Sequence, residues 1–149
     1  MVAAVTGDRI AAAFERAPAL LARLGAPFAS IDETIAAARA ALVAMSEDER
    51  IAVLAAHPRI GADPATLSAS SRLEQGGVDD PAVLTELARL NAEYERRHGF
   101  RFVVFVNGRP KGALLQELRE RLERPREAEL ATGLEELLAI ARDRLERRR

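Results

Sequence analysis

The chain has 149 residues, 48% hydrophobic and 30% charged, with a formal net charge of −1 and no cysteine. That length suits one domain with a real core, and the near-neutral charge gives no reason to expect a nucleic-acid or anionic-membrane partner. The lack of cysteine excludes disulfides, thiolate metal sites and a cysteine nucleophile.

Taken in chain order, the pattern is helical nearly throughout. From about Thr6 to Leu24, Ile10, Phe14, Leu20, Leu21 and Leu24 are spaced to form one buried stripe, which Pro18 must bend or split. Asp8, Arg9, Glu15 and Arg16 interrupt this stretch, so it does not read as a secretion signal. No segment approaches the roughly 20 apolar residues of a membrane span. Ser30-Ile31-Asp32-Glu33 and Ser46-Glu47-Asp48-Glu49 match the capping box, in which a hydroxyl and a carboxylate satisfy free N–H groups at a helix start. The second box opens a short helix carrying Ile51, Val53 and Leu54. Pro58 disfavours helical geometry at His57, so that helix should end there. Residues 58–66 read as a loop, 67–75 as a short helix, and Gly76-Gly77 as its stop. Asp80-Pro81 opens a long helix to about His98, and two more follow near 110–123 and 126–147. The closing Arg147-Arg148-Arg149 reads as a solvated helix end whose cations suit the dipole.

One segment departs from the helical pattern. Phe102-Val103-Val104-Phe105-Val106 is aromatic and β-branched, with a turn signal at Asn107-Gly108. No second strand candidate exists to pair with it, so its backbone groups need side chains, a subunit or a ligand as partners. The expected fold is one all-α domain over 1–149, a bundle of about seven or eight helices with one extended apolar segment.

The acid–base inventory is short. Of two histidines, His98 precedes Gly99 at a helix end and reads as a partner of the helix dipole. His57 is held by the rigid ring of Pro58, and is either a structural histidine or a group that titrates into a pocket. Ser71 and Glu74 share a helix face, as a cap or as two groups converging on a ligand. On the last helix, at about 100° per residue, Arg144 falls within roughly 20° of Leu137 and 40° of Leu130. A cation on an apolar face calls for snorkelling, a buried carboxylate such as Glu74, or an anionic ligand. No zinc, calcium, phosphate-loop or Rossmann motif is present.

These pieces occur in a recognisable order. His57-Pro58-Arg59-Ile60-Gly61, Ser71-Arg72-Leu73-Glu74-Gln75, Leu90-Asn91-Ala92-Glu93-Tyr94 and Gly99-Phe100-Arg101-Phe102-Val103-Val104 together resemble the decarboxylases of 2-oxo-4-hydroxy-4-carboxy-5-ureidoimidazoline (OHCU), on the uric-acid route to allantoin. Arg121-Leu122, Glu129-Leu130 and Ile140-Ala141-Arg142-Asp143-Arg144-Leu145 extend the resemblance over nearly the whole chain. It implies an all-helical enzyme without a cofactor, usually a homodimer, acting on a small ureidoimidazoline. His57, Glu74 and Arg144 match the family's catalytic positions. Pro58, Ser71, Gln75 and the backbone of Phe102, Val103, Val104, Phe105 and Val106 match substrate-contacting ones. The stretch between His57 and Ser71 is shorter than in commonly seen members, which bears on pocket shape. Without a C-terminal Ser-Lys-Leu signal, cytoplasm is the expected location. The competing expectation is a noncatalytic helical module that binds a ureide-like metabolite or a protein.

Overall fold

Several helix starts in this protein follow side chains that satisfy free N–H groups. The computed structural model describes residues 4–61 and 80–147; the helix expected at 67–75, with Ser71, Glu74 and Gln75, lies outside them. Among the described residues there are seven helices: α1 (Gly7–Ala13), α2 (Pro18–Leu21), α3 (Ile31–Ala44), α4 (Glu47–Ala55), α5 (Pro81–His98), α6 (Lys111–Leu122) and α7 (Arg126–Arg147). Ser46 makes the full reciprocal box, its Oγ accepting from Glu49 N at 3.2 Å while the Glu49 carboxylate accepts from Ser46 N at 3.1 Å. At Ser30 the box is displaced: Oγ accepts from Glu33 N, but the Glu33 carboxylate reaches one residue further back, to Ala29 N. Asp80 caps α5 through Ala82 N, with Pro81 in the first turn.

The break expected at Pro18 begins earlier. α1 stops at Ala13, Arg16 N donates to Ala11 O at 2.8 Å, and Glu15 and Arg16 take φ of 52° and 57°. This is the six-to-one bond that closes a helix through left-handed backbone. Pro18 then opens α2 rather than bending α1.

α7 is the central element. It packs against α1, α3 and α4, while α5 packs against α6 and α2 against α3 and α4. Its buried face carries Leu130, Leu137, Leu138, Ala141 and Leu145 at helical spacing. These residues join Phe14, Leu20, Leu54, Leu87 and Phe102 in one core. Each such leucine or phenylalanine contributes roughly 1.5–3 kcal/mol by leaving water. No helix among the described residues is long and apolar enough to cross a membrane.

Residues 101–106 form neither helix nor strand. The segment runs through the interior, with Phe102, Val103 and Val104 buried. Asn107 (φ 48°) and Gly108 (φ 73°) make the turn that their sequence signalled.

Candidate active site

His57 follows the end of α4, and its frame is built by three neighbours. α4 ends at Ala55, two residues short of the expected stop, and His57 N donates to Leu54 O at 3.1 Å. Helix termini leave carbonyls without partners. Here one guanidinium nitrogen of Arg101 donates to both Ala55 O and His57 O, each at 2.8 Å. Beyond Pro58, the amide of buried Asn91 donates to Ile60 O at 3.1 Å. Gly61 then turns with φ 84° against Leu84 and Leu87. The backbone on both sides of His57 is therefore tied to residues that follow it by more than thirty positions.

The 102–106 segment faces His57. Its partners are mainly side chains, as an apolar run without a strand neighbour requires. Arg121 Nη1 donates to Val103 O at 2.8 Å. Phe105 N donates to the Glu136 carboxylate at 3.4 Å, and Arg109 donates to Phe105 O and Val106 O. The N–H groups of Phe102, Val103, Val104 and Val106 find no partner among the described residues. Arg121 is fixed in turn by Glu129, which is fully buried and also accepts from the Tyr94 hydroxyl (2.7 Å) and from Arg124 (2.9 Å). Burial, then the bond to Glu129, raises the Tyr94 phenol well above its ordinary pKa. Burial likewise raises the half-buried Glu136 carboxyl.

Arg144 lies on the apolar face of α7, 2% exposed, whereas Arg142 points outward to pair with Asp32. Its ion-pair partner among the described residues is Glu15, at 2.9 Å. Glu74, raised from sequence as a partner for it, lies outside those residues.

These elements line one recess, bounded by His57, Pro58, Ile60, residues 102–106, Ile140 and Arg144. The structure thus brings together His57, Pro58, Phe102, Val103, Val104, Phe105, Val106 and Arg144 from three distant parts of the chain. Both ring nitrogens of His57 lack a hydrogen-bond partner among the described residues. Burial first, then the positive charge of Arg144 and, more weakly, Arg101, pulls the His57 pKa down to about 4. The Glu15 carboxylate and the nearby Val53 carbonyl push the other way. At neutral pH the ring is an uncharged imidazole, able to accept a proton inside a water-poor pocket.

Sequence reasoning missed Glu15, Asn91, Arg101, Glu129 and Glu136 as builders of this site. Glu129 left a signal, since it shares the apolar stripe of α7 and so must be buried and paired. Glu15 left none, because its partner is 129 positions away (144 − 15).

The family model described as OHCU decarboxylase matches residues 3–146. A 2-oxo-4-hydroxy-4-carboxy-5-ureidoimidazoline decarboxylase of Haloferax volcanii is 29% identical over 95% of this chain and 87% of its own. A putative enzyme of the same name in Homo sapiens is 31% identical over 89% and 82%. A crystal structure of OHCU decarboxylase in the presence of (S)-allantoin superposes with a TM-score of 0.73 at 24% identity, covering 88% of this chain and 90% of that one. That likeness shows a common fold.

Proposed function

The chain belongs to the OHCU decarboxylase family, and on that premise we propose that it decarboxylates OHCU to (S)-allantoin in urate catabolism, with His57 as the acid–base group. The observation that carries the reading is the single recess shared by an uncharged buried imidazole, an arginine and backbone N–H groups that find no partner among the described residues.

The chemistry asks little of the protein beyond placement and protons. Cleavage of the bond between C4 and its carboxylate releases carbon dioxide and leaves an electron pair on C4. The neighbouring ring imine takes up that pair, and its nitrogen gains a proton from water, giving an enol that spans C4 and C5. Loss of the hydroxyl proton and gain of a proton at C5 complete the allantoin ring. Neutral His57 accepts the hydroxyl proton. The imidazolium so formed, disfavoured by burial and by Arg144, is a strong donor and returns a proton to one face of C5. Arg144 offers positive charge to the substrate's anionic part, and the N–H groups of 102–106 offer donors to its amide-like edges. Glu74 would orient His57 or share its charge.

The test generates OHCU from urate in situ and follows its loss, together with the handedness of the allantoin formed, with and without the protein. Accelerated loss with an excess of the S form is the expected result. Unaccelerated loss with racemic product would replace the enzyme reading with a ureide-binding module.

A further inference from the structure

Glu15 occupies a position where its residue type is disfavoured. It follows Phe14, the C-cap of α1, and its φ of 52° places it in left-handed backbone that glycine usually supplies at this point of a helix end. A side chain with a Cβ adopts that conformation at a cost and keeps it only where its surroundings fix it. Arg144 provides such surroundings. Its guanidinium pairs with Glu15 at 2.9 Å, the glutamate side chain 11% exposed and the arginine 2%. The same guanidinium donates to Ala13 O at 3.2 Å and approaches Ala12 O at 3.5 Å. Those carbonyls belong to the last turn of α1, the negative end of its dipole. The end of α1 and Glu15 together make an anionic socket for a cation that reaches across from α7.

That cation lies in the pocket wall with His57. Among the described residues three charges act on the imidazole: Arg144 from α7, Glu15 from the turn after α1, and Arg101 from the segment after α5. Two repel a proton there, and the carboxylate attracts it. We propose that Glu15 is a positioning residue for the decarboxylation: it aims Arg144 into the pocket and offsets its charge, so that His57 can take up a proton during turnover. The proposal rests on the decarboxylase reading and adds to it a residue far from His57 in sequence. An Arg144 without this counter-charge would hold a substrate carboxylate more tightly in the ground state, which lowers KM without raising kcat.

Glu15→Gln keeps the length and an acceptor for Arg144 but removes the charge. A charge-assisted hydrogen bond is worth enough to set the scale at roughly 10- to 100-fold. The expected result is a kcat reduced by that factor with no rise in KM, while Glu15→Asp retains most turnover. A purely structural Glu15 would instead lower Tm and raise KM in both variants, and that outcome overturns the proposal. A second readout does not depend on activity. In an Arg144→Gln background, the His57 ring is titrated by NMR with and without Glu15→Gln, and loss of the carboxylate should move its pKa down. Absence of turnover by the native protein would sink the decarboxylase reading and leave this titration intact. An unchanged His57 titration, with Glu15→Gln as active as the native chain, would sink the proposal even where the enzyme is active.

Discussion

The two histidines of this protein are nearly alike by the usual measures. Both lie at helix ends, His57 beyond α4 and His98 as the last residue of α5. They are 3% and 2% exposed, and neither has a ring nitrogen bonded among the described residues. Their neighbours differ. His98 sits between aromatic rings, 4.5 Å from Tyr94 and 5.9 Å from Phe100 by centroid. Behind Tyr94 stands the closed network of Glu129, Arg121 and Arg124. His57 faces a recess, a cation and a backbone run several of whose donors have no partner among the described residues. Burial of a histidine is therefore no guide to function by itself; what the buried ring faces is.

The largest expected effect comes from His57→Asn. If His57 is the acid–base group, turnover falls by roughly 100- to 10,000-fold, with the far-ultraviolet circular dichroism unchanged. Near-native activity in this variant would remove His57 from the mechanism.

On the other side of the comparison, Glu129→Gln removes the fully buried carboxylate that pairs with Arg121, leaving that guanidinium Glu117 at 3.6 Å. Breaking such a pair costs about 3–5 kcal/mol, read as a shift of the urea midpoint. Activity should fall with it, because Arg121 then releases the Val103 carbonyl.

A smaller effect is tied to pH. In the unfolded chain His57 takes a proton near the ordinary value of 6.5; in the folded chain it resists until about 4. Between those values the unfolded state holds more protons, so this group makes stability fall as pH drops. From pH 6.5 to 5 the loss is about 2 kcal/mol. Denaturation at the two pH values should show that slope in the native protein and a shallower one in His57→Asn.

The smallest effect is expected from His98→Phe. Its ring nitrogens have no partners to lose among the described residues, so an apolar ring of similar size should leave both stability and turnover close to native. A collapse of activity there would break the contrast between the two histidines.

Much of the frame was legible in the sequence because it is local. Ser46 and Glu49 are three residues apart, and Asp80-Pro81 is a dipeptide; each specified a helix start that the structure contains. The orientation of Arg144 followed from helical periodicity alone, and its burial confirms it. The unusual 102–106 run announced that its backbone needed side chains, a subunit or a ligand as partners, and Arg121, Arg109 and Glu136 supply several. Their identities were not legible, since nothing in a one-dimensional pattern says which of 22 basic residues will reach a given carbonyl. The same holds for Glu15, whose role arises only when α1 and α7 pack together. Ser71, Glu74 and Gln75 rest on their match to the family's positions.

The most direct measurement of whether the His57 recess is where the chemistry occurs is an NMR titration of the protein with (S)-allantoin. The account predicts saturable shifts at the amides of Phe102, Val104 and Val106 and at the His57 ring, with the His98 ring unmoved. Shifts centred on His98, or none in the 102–106 segment at saturating ligand, would contradict it.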